Sequence, residues 1–437
     1  MIRRDGYLEK LVDRIDDRRV KVVTGLRRCG KSYLLFVIFR AWLRRHGYDD
    51  AHVVDIQLDD DDAVEQRTPR ALSAWIKARL PKDGRNCVVM VDEVQMCKPP
   101  DDAPANDVTF YDVLNSLRKK KGVSVYVTGS NSEMLSKDVA TNFRDRGIEI
   151  RVWPLSFAEL VNYRKGEESA IVWEEYLRYG GMPGAVIEKD REERERYLKN
   201  LFATVYNRDL VERYNLKDDY ILDSVVTVLA SSVGGLTNPT KLANTMSTVC
   251  RVAASAPTLR KYMGILEDAF LFSRADRWDV KGRRYLDYPS KYYTVDVGLR
   301  NAKLNFRQHE RTHLMENAIY IELLRRGYSV DVGVVETVVR NRRGRQERRQ
   351  HEIDFVVNSQ SGKAYVQSAF SLDGDGKEEQ EKLSLRHGED FFSRMIVTSG
   401  LEQPWTDDDG ISHVGVIPFL LDPSILSSAL KQHGLKP

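Results

Sequence analysis

A phosphate-binding pattern, G-x-x-x-x-G-K-S/T, is present at Gly25-Leu-Arg-Arg-Cys-Gly30-Lys31-Ser32. Glycines at Gly25 and Gly30 allow backbone N–H groups to converge on phosphate oxygens. In such a loop, Lys31 reaches the β- and γ-phosphates and the Ser32 hydroxyl ligates Mg²⁺. The pattern therefore predicts a site for ATP and Mg²⁺.

Two carboxylates follow an apolar run about sixty residues further along the chain. The run Cys87-Val-Val-Met-Val-Asp92-Glu93 is continuous and apolar up to Asp92, which is typical of a strand buried on both faces of a parallel sheet. Ligand-binding groups in open α/β sheets lie at the carboxyl ends of strands. We expect Asp92 to hold Mg²⁺ and Glu93 to orient and deprotonate the attacking water. A solvated acidic turn is the alternative for this segment alone.

A third β-prone run, 122–128, ends in polar residues that could contact the γ-phosphate or the attacking water. The candidates are Asn131 and Ser130, since both side chains can donate a hydrogen bond. An N-cap of the following helix is an alternative that does not exclude this role. Arg144 and Arg146 then precede the next strand, and either could act as an arginine finger across a subunit boundary or lie on a solvated surface.

The elements that position these residues follow the strand–loop–helix order that the motif requires. A short β-prone run at 21–24 precedes the loop, and an apolar helical run at 33–39 follows it. We therefore expect an α/β fold with a P-loop module on a parallel sheet.

Several segments together resemble the bacterial and archaeal AAA-type (AAA+) P-loop ATPases of the fourteenth AAA subgroup. They are Gly25–Ser32, Val88–Gln95, Thr128–Asn131, Trp153–Glu159, Tyr176–Pro183 and Lys291–Leu299. The resemblance implies nucleotide and metal binding by Lys31, Ser32 and Asp92, water activation by Glu93, a sensor at Asn131 and a finger at Arg146. Members also carry a C-terminal region that resembles a degenerate PD-(D/E)XK restriction-endonuclease fold.

Composition narrows the class of protein. The chain has 437 residues, enough for two or three domains, and its formal net charge is only +3, so overall charge does not predict nucleic-acid binding. The cysteines form no C-x-x-C pair and suggest neither a zinc site nor disulfides. With no signal-like N-terminus and no long apolar run, we expect a cytoplasmic protein without membrane contact.

Shifts in composition, and glycine and proline residues that interrupt helices and strands, predict four regions along the chain. They are an AAA-type core at 1–165, a helical lid at 166–218, a winged-helix domain at 219–299 and a nuclease-like α/β domain at 300–437. In the lid, Arg178 is the candidate for sensing the bound nucleotide.

A winged helix is predicted because two helices, opened near Pro239 and Pro257, precede two β-prone runs with a basic connection. In a DNA reader, Arg260 and Lys261 would meet the major groove. The connection would meet phosphates through Lys281, Arg283 and Arg284. Winged helices also serve as packing modules, so DNA contact is one of two interpretations.

The C-terminal region supplies part of a metal-dependent nuclease pattern. Glu316 on a predicted helix and Asp354 at a strand fill the acidic positions. Gln367 and Ala369 stand where an acid and a lysine are required, so we expect a degenerate site kept for binding or oligomer contacts. A nearby hairpin carries Arg342, Arg343 and Arg345, which could grip a phosphate backbone or be solvated.

These patterns together predict Mg²⁺-dependent binding and hydrolysis of ATP to ADP, coupled to DNA or to a partner protein, with a homo-oligomer as one way of working. One alternative is a nucleotide-gated interaction or signalling protein without DNA binding. An ATP-gated DNA nuclease is disfavoured by Gln367 and Ala369.

Overall fold

The computed structural model describes residues 2–100, 102–104, 106–129, 146–217, 219–340, 346–374, 376–386 and 392–432. Contacts between residues divide the chain into two compact units. The first comprises Met1–Pro154 with Asp268–Phe270, and the second comprises Leu155–Glu267 and Leu271–Pro437. Among the described residues, no helix combines the length and the apolar character needed to cross a bilayer.

The first unit is built on a five-stranded parallel sheet, which confirms the predicted α/β fold with a parallel sheet. Its strands are β1 (Val20–Thr24), β2 (Val53–Gln57), β3 (Cys87–Asp92), β4 (Val123–Thr128) and β5 (Gly147–Arg151). They lie in the order β2-β3-β4-β1-β5. Every residue of β1 and β3 is buried, as expected for apolar runs covered on both faces.

Helices surround this sheet. They are α1 (Asp5–Val12), α2 (Lys31–Tyr33), α3 (Arg40–Arg45), α4 (Pro69–Arg79) and α5 (Phe110–Arg118). A π-helical segment, Leu34–Phe39, joins α2 to α3, and short 3₁₀ turns lie at Asp50–His52, Asp61–Arg67 and Val94–Met96. The predicted helix after the phosphate loop is therefore continuous but locally widened.

The second unit begins with helices and continues into a mixed sheet. Its helices are α6 (Phe157–Tyr163), α7 (Ser169–Tyr179), α8 (Pro183–Ile187), α9 (Arg191–Thr204), α10 (Asp219–Ser231), α11 (Pro239–Thr245), α12 (Ala256–Asp268), α13 (Val297–Lys303), α14 (Arg311–Arg325), α15 (Lys377–Arg386), α16 (Val416–Leu421) and α17 (Ser424–Gln432). π-Helical segments extend α9 at Val205–Glu212 and α11 at Met246–Cys250.

The sheet of this unit has nine strands. They are β6 (Leu236–Thr237), β7 (Phe272–Asp279), β8 (Arg284–Thr294), β9 (Ser329–Arg340), β10 (Gln346–Ser359), β11 (Gly362–Ala369), β12 (Ser393–Thr398), β13 (Trp405–Thr406) and β14 (Ser412–Gly415). Their order is β13-β14-β12-β11-β10-β9-β7-β8-β6. The hairpin β7–β8 of the predicted winged helix thus shares one sheet with the strands of region 300–437, because β7 pairs with β9.

Candidate nucleotide-binding site

The phosphate loop leaves β1 through a glycine that no other residue could replace without strain. Gly25 has a φ of +139°, and a Cβ there would lie 2.1 Å from the carbonyl oxygen of Val152. Gly30, with a φ of +100°, begins the helix that follows. Both glycines therefore serve backbone geometry, as the motif predicts.

The lysine of the motif is folded back onto the loop. Lys31 is buried, and its Nζ donates to the carbonyl oxygens of Gly25 and Leu26 at 3.0 and 3.1 Å. These carbonyls take two of the three N–H donors of the ammonium group. A phosphate bound at this loop would therefore compete with them for Lys31.

An arginine near the N-terminus holds the loop from outside. The guanidinium of Arg4 donates to the carbonyl oxygen of Cys29 at 3.3 Å and to that of Trp153 at 2.7 Å. It joins the loop to the segment after β5. Sequence reasoning missed Arg4, since no motif includes it.

Asp92 lies at the carboxyl end of β3, where it meets both a motif residue and a neighbouring strand. Its carboxylate accepts hydrogen bonds from the hydroxyls of Thr128 and Ser32, while burial raises the pKa of Asp92 against them. The hydroxyl of Ser32 and the carboxylate of Asp92 are oxygen donors of the kind that Mg²⁺ prefers. The residues therefore fit the predicted metal.

Glu93 follows in a left-handed backbone conformation, with a φ of +48°. Burial raises the pKa of its carboxyl, and the positive charge of Lys31 acts in the opposite direction. The side-chain amide of Gln95 donates to the Glu93 carboxylate. The proposed base is thus close to the lysine but held by a neighbour two residues away.

Thr128 is a residue of this site for which the sequence predicted no role. It ends β4, the strand between β3 and β1, so it stands between Asp92 and the phosphate loop. Its hydroxyl also accepts a hydrogen bond from the backbone N–H of Glu93 at 3.0 Å. The signal was a hydroxyl at the last position of a strand beside the acidic strand.

The other residues predicted for this site lie away from it or outside the described residues. Asn131, Ser130 and Arg144 fall outside the described residues. Arg146 is exposed at the amino end of the sheet, where its carbonyl oxygen accepts from the N–H of Val20 at 2.8 Å. The phosphate loop leaves the opposite end of β1, about 13 Å away at 3.3 Å per residue. Arg146 is therefore not part of its own chain's site.

The predicted cations of the second unit are exposed where they are described. Arg260 and Lys261 lie on α12, and the connection between β7 and β8 exposes Lys281, Arg283 and Arg284. Of the hairpin cations, Arg342, Arg343 and Arg345 lie outside the described residues.

Arg178, the predicted nucleotide sensor, has partners within its own unit. Its guanidinium donates to Glu195 at 2.8 Å and to the Tyr179 hydroxyl at 3.1 Å. In this arrangement Arg178 serves local ion pairing.

The predicted nuclease positions are brought together in the second unit. Glu316, Asp354 and Gln367 are all largely buried, and the Gln367 side-chain oxygen accepts from the Asp354 N–H at 3.3 Å. Glu316 and Asp354 also share a partner, Lys291, which sequence reasoning missed. Ala369 is buried and offers no polar group.

Among the comparisons with known proteins, a family model agrees with the geometry of the first unit. A family model described as an AAA domain matches residues 17–161, and one described as a domain of unknown function (DUF8612) matches residues 172–310. A Haemophilus influenzae protein named as uncharacterized is 32% identical over 96% of this chain and 99% of its own length. The uncharacterized protein MJ1544 of Methanocaldococcus jannaschii is 24% identical over 92% of this chain and 87% of its own. The Walker-type ATPase paby2304 of Pyrococcus abyssi is similar in structure, with a TM-score of 0.48 and 13% identity over 70% of this chain and 96% of that one.

Proposed function

We propose that this chain binds ATP with Mg²⁺ and hydrolyses it to ADP and phosphate. The chain belongs to the family of the Haemophilus influenzae protein and carries an AAA domain. One observation carries the proposal. Lys31 of the phosphate loop after β1 and the acidic pair Asp92–Glu93 after β3 lie at the same carboxyl edge of the parallel sheet, where Thr128 at the end of β4 contacts both members of the pair. A loop for phosphates beside two carboxylates is the arrangement that phosphoryl transfer to water requires.

Binding begins with the loop. Lys31 releases the carbonyls of Gly25 and Leu26 and places its ammonium against the β- and γ-phosphates. Ser32 and Asp92 would hold Mg²⁺, which when bound neutralises charge on the phosphate oxygens.

Hydrolysis then depends on the ionised carboxylate of Glu93. Its carboxylate orients a water molecule and takes a proton from it as the water oxygen bonds to the γ-phosphorus and the bond to the ADP oxygen breaks. The amide of Gln95 donates to Oε2 of this carboxylate, which leaves Oε1 to accept the proton. Thr128 acts as a positioning residue, since its hydroxyl contacts both the Asp92 carboxylate and the backbone of Glu93.

The released energy is coupled, in this proposal, to binding of DNA or a partner protein by the second unit. Exposed cations on α12 and on the β7–β8 connection support a nucleic-acid surface in a winged-helix region. The lid at 166–218 and the nuclease-like domain at 300–437 belong to the same proposal. Because Arg146 lies at the far end of its own sheet, a finger role for it requires a homo-oligomer in which it reaches a neighbour's nucleotide.

The second candidate function is a nucleotide-gated interaction protein that binds no DNA. The hydrogen bond from Gln95 to the Glu93 carboxylate favours this second function, because it restrains the side chain that hydrolysis would need as a base. Phosphodiester cleavage is disfavoured, because Gln367 and Ala369 supply neither an acid nor a lysine.

The experiment that tests the proposal compares wild type with Lys31→Ala. Wild type should bind a fluorescent ATP analogue and release phosphate only with Mg²⁺ present, whereas Lys31→Ala should lose binding. An exposed control, Lys77→Ala on α4, should behave as wild type. Wild type that fails to bind ATP would refute the proposed function.

A further inference from the structure

An ammonium group lies among three carboxylates in the second unit. The Nζ of Lys291, on β8, is 2.8 Å from Glu316 Oε1, 2.7 Å from Glu352 Oε1 and 3.3 Å from Asp354 Oδ1. Lys291 is only 3% exposed. We refer to Glu316, Glu352 and Asp354 as the carboxylate cradle.

The cradle is held in place by groups other than Lys291. The Tyr293 hydroxyl donates to Glu316 Oε1 at 2.7 Å, and the backbone N–H of Ser368 donates to Asp354 Oδ2 at 2.9 Å. These donors come from β8 and β11, while Glu316 belongs to α14. The carboxylates of Glu316 and Asp354 are therefore oriented by groups from several elements, as in a cation site whose ligands are fixed in advance.

Charge at the cradle is only partly balanced. One ammonium faces three carboxylates, and a buried charge without compensation is costly. Because Lys291 is part of the chain, its positive charge stays at the cradle whatever the concentration of cations in solution.

The side chain of Gln367 forms hydrogen bonds within the protein through both its oxygen and its nitrogen. Its side-chain oxygen accepts from the N–H of Asp354 at 3.3 Å, and its Nε2 donates to Glu381 at 3.0 Å. A neutral amide bound in this way offers no charge to attract a metal away from the lysine.

We propose that Lys291 is the resident cation of the carboxylate cradle, occupying the place of a divalent metal ion, and that the cradle takes a hard divalent cation only when the lysine is removed. Mg²⁺ and Mn²⁺ favour carboxylate oxygens, with Mg²⁺ at about 2.0–2.1 Å from its ligands. Such an ion would have to lie among the same oxygens that surround Nζ. The ammonium and the metal therefore compete for one position.

The test uses the full chain with Lys291→Met, which keeps an unbranched side chain, one atom shorter than lysine, and removes its charge. The matched control is Lys363→Met, which removes an equal charge from a lysine that lies over the rings of Trp278 and Phe392. Each protein is melted in EDTA and in Mn²⁺, and Mn²⁺ binding is counted by electron paramagnetic resonance.

In EDTA, Lys291→Met should melt roughly 10 °C below wild type, because the buried carboxylates of Glu316 and Asp354 and the half-buried one of Glu352 lose their partner. Mn²⁺ should restore at least half of that loss and fill one site that wild type and Lys363→Met lack. The double variant Lys291→Met with Glu316→Gln should lose the restoration. A Lys291→Met protein that folds only with Mn²⁺ would give the same support.

Three outcomes would overturn the proposal. The first is a Lys291→Met protein that melts like the control or gains no Mn²⁺ site. The second is a Lys291→Met protein that stays unfolded with and without Mn²⁺. The third is a Mn²⁺ site in wild type that Glu316→Gln removes, since lysine and metal would then share the cradle.

Discussion

The hydroxyl of Thr128 donates a hydrogen bond to the carboxylate of Asp92, the residue that would hold Mg²⁺. The same hydroxyl accepts from the N–H of Glu93 at 3.0 Å. One side chain on β4 therefore contacts the carboxylate of Asp92 at the end of β3 and the backbone of Glu93, which follows it. The relationship follows from strand order, because β4 lies between β3 and the strand that leads into the phosphate loop.

Replacing Thr128 by valine should lower the turnover number roughly tenfold to a hundredfold, the usual effect of losing a group that orients a metal ligand. ATP affinity should change less, because Lys31 and the loop are untouched. Steady-state phosphate release and nucleotide titration measure the two effects. Thr128→Ser keeps the hydroxyl and should retain most activity; equal losses in both variants would assign Thr128 to packing instead.

Replacing Glu93 by glutamine should reduce hydrolysis at least a hundredfold while ATP binding persists. Glutamine keeps the size and the buried position but cannot take a proton from water. Single-turnover phosphate release and equilibrium binding of ATP give the comparison. Glu65→Gln, an exposed acid in the same unit, is the matched control and should leave both unchanged. Full turnover by Glu93→Gln would remove the proposed base.

The pH dependence of turnover should report the environment of Glu93. Burial raises its pKa above the ordinary value of 4.5, and the charge of Lys31 and the Gln95 amide partly oppose the rise. Because the ionised form is the base, turnover should fall as pH decreases through this raised pKa, at a higher pH than an exposed glutamate would give. Gln95→Leu removes one opposing effect and should move the fall to higher pH still. A profile unaffected by Gln95→Leu would contradict this assignment of the acid limb.

The phosphate loop and acidic strand could be predicted because their chemistry fixes the order of residues along the chain. Gly25 and Gly30 have positive φ, and β1, β3 and β4 begin and end within a residue or two of the expected positions. Local sequence determines each of these features. The continuous apolar run of β3 predicts a strand of a parallel sheet, whereas β2, Val53–Gln57, has no such run and is not among the predicted strands.

Contacts between residues distant in sequence could not be predicted in this way. Thr128 contacts Asp92 across 36 positions, and Lys291 contacts Asp354 across 63. Strand order and register decide these pairs, and neither can be read from one segment. The nuclease pattern places a lysine at position 369 on β11, where the chain has Ala369. In the folded chain, the lysine beside Glu316 and Asp354 is Lys291, which belongs to β8.

A DNA-binding surface on the β7–β8 connection predicts a steep dependence of affinity on salt. Neutralising Lys281, Arg283 and Arg284 together, each to glutamine, should weaken duplex binding and reduce the salt slope by roughly two to three. Fluorescence anisotropy at several salt concentrations measures both. The triple variant Lys119→Gln, Lys120→Gln, Lys121→Gln removes the same charge from the first unit and should bind as wild type. If both triples bind equally, or if wild type binds no DNA at low salt, the nucleotide-gated interaction protein becomes the better interpretation.

Asp296 should make the second unit less stable as pH rises through the weakly acidic range. It is buried, and burial raises its pKa from 3.8 to about 6, although its carboxylate accepts from the N–H groups of Gly181 and Leu299 at 2.8 and 3.0 Å. Between these two values the folded state binds the proton more tightly than the unfolded chain does. Stability from this group is therefore greatest at low pH and is lost as pH rises towards and through 6.

The matched comparison is Asp296→Asn, which cannot ionise. From pH 5 to pH 7.5, wild type should lose about 1 kcal/mol of unfolding free energy relative to this variant, since each pKa unit corresponds to about 1.4 kcal/mol. Urea unfolding of both proteins at the two pH values gives the difference, and the variant cancels the contribution of other buried carboxyls such as Glu316. A difference that stays constant with pH would mean that Asp296 is ionised in the folded protein already at pH 5, with its backbone hydrogen bonds outweighing burial.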